Sequence, residues 1–125
     1  MNLPRSVDKP LHWMSGSKKD LLAFPAEVVS DMGYALRVVQ RGGLPPSAKP
    51  WTGEGPNVFE LVETSREGAF RVAYTVRFPK AVYVLHCFQK KSPSGIRTAS
   101  KDIAMISARL KAARTDYEVR YGKEA

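Results

Sequence analysis

Arg71, Lys90 and Lys91 are the side chains around which chemistry can be built, because of where they fall in a pattern. From Phe70 onward the residues alternate: Phe70, Val72, Tyr74, Val76 and Phe78 point one way, Arg71, Ala73, Thr75 and Arg77 the other. A period of two, in β-branched and aromatic residues, predicts a half-buried strand. Phe78-Pro79-Lys80-Ala81 reads as a turn, since proline donates nothing to a ladder. The apolar run Val82 to Phe88 returns alongside and stops at Gln89-Lys90-Lys91-Ser92. Antiparallel pairing then brings Arg71 toward the lysine end of its partner strand. The expected result is a cluster of positive charge on a rigid sheet.

Charge is unevenly spread. From Arg66 to Arg114 there are eleven Lys and Arg against Glu67 and Asp102 alone, although the whole chain carries only +8. Such concentration is expected of a surface that meets a polyanion. The plainer alternative is a solvated basic face that keeps the protein soluble. Cys87 is a lone cysteine inside an apolar run, which makes it a small buried hydrophobe rather than a nucleophile.

These side chains must be held by the elements around them. A chain of 125 residues suits a single domain spanning 1–125. The longest uncharged apolar run, Ala81 to Phe88, is far short of the roughly 20 residues of a membrane span. The first residues lack the apolar core of a secretory signal, so a cytoplasmic protein is expected. Lys9 to Met14 reads as a short edge strand. Ser17 caps a short helix, Lys18 to Phe24, and Pro25 opens a second one. In that second helix Val28, Val29, Met32, Ala35, Leu36 and Val39 form one apolar stripe, ended by Gly42-Gly43. Leu44 to Pro56, rich in proline and carrying Trp51, is an ordered loop; Asn57 to Glu63 is a strand. After the loop Ser92 to Gly95, Thr98 or Ser100 caps a last helix with Ile103, Ile106, Leu110, Ala113 and Tyr117 inward. Lys101, Arg109, Lys111 and Arg114 are placed on its outer face. The order predicts an α+β fold with helices against an antiparallel sheet of about four strands.

With the elements in place, the sequence resembles the RelE/ParE superfamily of toxins, most closely the phage-derived HigB-like branch of type II toxin–antitoxin systems. The likeness runs roughly from Trp13 to Arg114. It rests on Phe24-Pro25, Met32-Gly33-Tyr34-Ala35-Leu36, Gln40-Arg41-Gly42, Ala48-Lys49-Pro50, Glu60-Leu61, Phe70-Arg71-Val72-Ala73-Tyr74 and Leu85-His86-Cys87-Phe88-Gln89-Lys90-Lys91-Ser92. The resemblance implies a microbial-RNase-like fold with two N-terminal helices and a C-terminal helix packed on the sheet. It also implies an endoribonuclease that cleaves mRNA, often on the ribosome, and a small adjacent antitoxin, often a helix-turn-helix DNA-binding protein. Some relatives inhibit DNA gyrase instead, so fold alone leaves the target open.

Cleaving RNA without a metal requires a base for the 2′-hydroxyl, cations for the phosphorane and an acid for the leaving oxygen. No His, Cys and Asp spacing suggests a metal site, and no cofactor is expected. Arg71 matches the family's arginine, whose planar fork suits a pentacoordinate phosphate. Lys91 falls where RelE-type members carry a basic residue. Lys90 is its neighbour, and on an extended segment only one of them faces the cleft, with Lys91 preferred. Glu60 stands where relatives carry a lysine base; it either takes that role or orients Arg71 through a cross-strand ion pair, the second being favoured. His86 is a candidate base by its ordinary titration range, or a hydrogen-bonded core residue sharing the parity of Val82, Val84 and Phe88. Arg97 lies near the place of a base-stacking tyrosine in relatives. Arg77, Arg97 and Lys101 are the candidate RNA-binding residues. Trp51 and Tyr74 read as core, Tyr74 with its hydroxyl satisfied. Two further readings stay open: a gyrase inhibitor acting through a helical surface, and a basic RNA-binding module without chemistry.

Overall fold

A computed structural model describes residues 8–90 and 99–123. The elements in chain order are β1 (Leu11–Trp13), α1 (Ser17–Leu22), α2 (Ala26–Gln40), β2 (Ala48–Pro50), β3 (Val58–Ser65), β4 (Gly68–Thr75), β5 (Val82–Lys90) and α3 (Ser100–Tyr121). They form an α+β fold around one five-stranded sheet ordered β1-β5-β4-β3-β2. The fold class therefore stands, with two refinements. The sheet is mixed, because β1 runs parallel to β5. A short strand, β2, is set inside the proline-rich loop and pairs antiparallel with β3. No described helix is long and apolar enough to cross a membrane.

The helices cover opposite faces of the sheet. On one face Met32, Leu36 and Val39 of α2 and Leu21 of α1 pack on Leu61, Phe70, Val72, Tyr74, Val82, Val84 and Cys87. On the other, Ile106, Leu110, Ala113 and Tyr117 of α3 pack on Val58, Ala73, Tyr83, Leu85 and Phe88, with Trp51 and Phe78. The alternation of β4 divides its side chains between the two cores, as period two requires. Phe78, expected beside Tyr74, joins the opposite core. The ladder ends at Thr75, whose hydroxyl donates to Asn57 O at 2.7 Å and accepts Arg77 N–H at 3.1 Å, so the alternation stops there. Tyr74 is buried as expected, but its hydroxyl has no hydrogen-bond partner among the described residues. Burial pushes that hydroxyl up to about 12.

The helix caps differ from expectation. Ser17 is the first residue of α1, and Gly16 precedes it with no side-chain cap. Ser17 is instead buried, with its hydroxyl directed at Val84 O. Ala99 precedes α3, again without a side-chain cap; Thr98 lies outside the described residues. In both helices packing onto β5 substitutes for local capping as the ordering force.

Polar ties fix the C-terminal half of α3. The Tyr83 hydroxyl donates to Asp116 Oδ2 at 2.6 Å, and Tyr117 accepts the Lys80 N–H at 3.2 Å. His12 Nε2 lies 2.7 Å from the Tyr121 hydroxyl, which joins the helix end to β1.

Two consequences of this packing are measurable. Met32→Ala, at a site with no solvent exposure, should cost about 2–5 kcal/mol in urea unfolding without changing the unfolded baseline. The Cys87 thiol is pushed up to about 12, first by burial and then by Asp20. It should resist thiol reagents at about pH 8 in the native protein and react at once in denaturant.

Candidate active site

The register of β2 to β5 arranges side chains into rows on the face that α3 shares. Lys49, Glu60, Ala73 and His86 lie opposite one another across four strands. Val62, Arg71 and Phe88 form the next row, and Thr64, Ala69 and Lys90 the one beyond, toward the hairpin tip. Arg71 thus sits centrally, with Glu60 and Lys90 as diagonal neighbours on either side, where long side chains reach one another.

Arg71 Nη1 donates to Glu60 Oε1 at 2.5 Å. Both side chains are largely withdrawn from water, at 17% and 12% exposure, so the pair is stronger than a surface salt bridge. The Arg71 Nε–H is buried and has no hydrogen-bond partner among the described residues. A guanidinium held by one carboxylate, with a buried donor still to satisfy, is suited to an oxyanion. The cross-strand ion pair expected from the sequence between Glu60 and Arg71 is present.

His86 is reached by a different route from the one expected. The β4–β5 register passes from Ala73–His86 to Tyr74–Val84 and skips Leu85, a β-bulge. The bulge reverses the parity, so His86 shares a face with Phe88 but not with Val82 or Val84. Its ring stacks on Phe88 with centroids 4.8 Å apart. Arg109 Nη1 donates to His86 Nδ1 at 3.0 Å and to Leu85 O at 3.1 Å. An arginine can only donate, so Nδ1 accepts, and Nε2–H donates to Asp102 Oδ1 at 2.7 Å. Both ring nitrogens are engaged. The imidazole joins the first turns of α3 to the bulged strand beside Arg71.

The tip of the hairpin is held closely. Gly68 has φ +122°, and a Cβ there would lie 3.3 Å from Lys90 O. The backbone of β4 thereby approaches the end of β5, where Gln89 Nε2 donates to Glu67 O at 2.5 Å. This fixes the strand that carries Lys90.

Residues 19–111 match the family described as Phage derived protein Gp49-like (DUF891). The chain belongs to this Gp49-like family. It is a RelE-like family associated with toxin–antitoxin systems. No curated protein and no solved structure gives a significant match. The matched span of this Gp49-like chain contains Lys49, Glu60, Arg71, His86, Lys90, Asp102 and Arg109.

Lys90 lies on the Arg71 face, because it pairs with Ala69. Lys91 and Arg97 lie outside the described residues. Arg77 is engaged in the loop before β3: Nη2 donates to Glu54 O at 2.5 Å and to Pro56 O at 2.9 Å. It serves that loop and is not part of the Arg71 rows. Lys101 is exposed on the first turn of α3, next to Asp102. Arg109, expected on the outer face of α3, turns inward to Leu85 and His86. Asp102 and Arg109 were legible in principle, since 102, 106, 109 and 113 follow the helical stripe of Ile106 and Ala113. Lys49, opposite Glu60, was hidden because nothing in the proline-rich loop signals a strand.

Replacing Glu60 by Ala should destabilise the fold by about 1–3 kcal/mol, because the Arg71 guanidinium loses its charged partner while still withdrawn from water. Urea unfolding of Glu60→Ala, Arg71→Ala and the double variant should give a coupling of the same order; additive effects would mean that the ion pair does not operate in solution.

Proposed function

We propose that this chain is the toxin of a type II toxin–antitoxin pair of the HigB-like kind, and that it cleaves mRNA as a metal-independent endoribonuclease during translation on the ribosome. The observation that carries this reading is Arg71: a guanidinium mounted on the sheet, oriented by Glu60, with a buried N–H unpartnered among the described residues. Family membership supports the toxin–antitoxin context.

In this mechanism the scissile phosphate lies over Arg71. As the 2′-oxygen bonds to phosphorus, giving up its proton to solvent, and the P–O5′ bond breaks to leave a 2′,3′-cyclic phosphate and a 5′-hydroxyl protonated from solvent, charge builds on the non-bridging oxygens, where the guanidinium donates to them. Lys90 on one side and Lys49 on the other extend the positive field along the RNA backbone, with Lys91 the candidate to add to it. Glu60 keeps the guanidinium planar to the phosphate and is the carboxylate nearest the reacting group. Because both His86 nitrogens are engaged, His86 acts by holding α3 against the bulge, and with it the wall of the cleft. The partner is an antitoxin whose acidic and apolar segment masks the basic face.

Expression of the chain without its partner should halt growth and leave discrete 5′ ends within coding regions, read by primer extension on total RNA. Arg71→Ala should lower cleavage by about 100-fold or more and restore growth, while remaining folded by circular dichroism. Toxicity that survives in a folded Arg71→Ala protein would reject this site. Double-strand breaks with intact mRNA would favour gyrase as the target. Salt-sensitive RNA binding without cleavage, ribosomes present, would reduce the chain to a binding module.

A further inference from the structure

The face that carries α2 holds a groove that the proposed chemistry does not use. It has a volume of about 510 Å³ and is lined by Asp31, Tyr34 and Val38 of α2, Pro45 and Pro46 of the following loop, and Glu63 of β3. Glu63 pairs with Phe70 of the α2-side core, so the groove and Arg71 are on opposite faces of the sheet. Its charge is also opposite: among the described residues no lysine or arginine lines it, in a chain of net charge +8.

The walls are built in advance of any occupant. The Gly43 N–H donates to Val38 O at 2.9 Å, the Ala48 N–H to Pro45 O at 2.9 Å, and the Val62 N–H to Ser47 O at 3.2 Å. A Cβ on Gly43 would come within 2.8 Å of Val38 Cγ1, so glycine is needed where the loop leaves the helix. Two adjacent prolines restrict the loop further. Beside this rigid rim two large apolar side chains are left in water, Tyr34 at 74% and Leu44 at 63% exposure.

We propose that this groove seats an arginine side chain carried by an apolar segment of a protein partner, which binds while the Arg71 face stays open. The chemistry follows from the lining. A guanidinium forks onto carboxylates, stacks on a tyrosine ring and lays its aliphatic stem along valine and proline. The apolar neighbours of that arginine cover Leu44 and the Tyr34 ring. Among the described lining residues no cation compensates these carboxylates: burial raises the Glu63 carboxyl above its ordinary value, and the charge of Asp31 raises it further. RNA and anionic membranes are disfavoured here for the same reason, since their phosphates meet two carboxylates.

The test is a ¹⁵N chemical-shift titration of the full chain with Ac-Leu-Arg-Leu-NH2, its citrulline counterpart and its lysine counterpart. The arginine peptide should give saturable shifts at the Ser30, Tyr34, Ser47 and Glu63 amides and leave Arg71 and Lys90 unmoved. The citrulline peptide should bind at least tenfold more weakly, and the lysine peptide should fall between the two. Asp31→Asn with Glu63→Gln, both at accessible positions, should keep the fold and remove the preference for arginine over citrulline. Bound peptide should also shift the Glu63 carboxyl titration, followed by ¹³C, to lower pH, because a cation favours the ionised form. Shifts that do not localise to the groove, equal binding of arginine and citrulline peptides, or an unchanged preference in the double variant would each overturn the proposal.

Discussion

Strand β5 is buried on both faces from Val82 to Phe88, and the other elements are arranged by the need to cover it. It lies between β1 and β4 in the sheet, under α1 and α2 on one side and α3 on the other. A strand of this kind cannot alternate polar and apolar residues, which is why its sequence is a continuous apolar run. The burial extends onto β4 from Val72 to Thr75. On the face that α3 shares, the rows toward β3 and β2 carry Lys49, Glu60 and Arg71.

The bulge at Leu85 is the device that makes a buried strand contribute to a polar site. Without it, His86 would share the parity of Val82 and Val84 and enter the α2-side core. With it, His86 meets Asp102 and Arg109 and becomes the joint between β5 and α3. Low exposure makes those bonds stronger than the same pairs in water and makes a missing partner costly. The same reasoning applies to Arg71, which combines a satisfied Nη1 with a buried Nε that has no partner among the described residues. Buried polar groups are usually satisfied, so an orphaned donor on a buried cation calls for an explanation.

The two faces of the sheet carry different charged groups. The α3 side gathers cations in rows that end at Lys90, whereas the α2 side holds Asp31 and Glu63 around a tyrosine. A sheet between them keeps the two fields apart, because each face presents only every second residue of a strand. Glu60 and Glu63 illustrate this: three residues apart on β3, they serve opposite surfaces.

Much of the fold was legible in the sequence. The period of two in Phe70 to Tyr74, the three- and four-residue spacing from Val28 to Val39, and the apolar run from Val82 are local signals of burial, and each produced its element. The Glu60–Arg71 pairing was also within reach, because antiparallel register follows from short turns. What the tertiary structure decided were the points where local rules give way. The parity of His86 depends on a bulge that no residue type announces; the inward turn of Arg109 depends on the carbonyl of Leu85 that the bulge exposes; and the departure of Phe78 depends on a hydrogen bond from Thr75 to Asn57, eighteen positions away. A periodic pattern records which side of an element is apolar. It does not record which partner stands on that side, and chemistry is set by the partner.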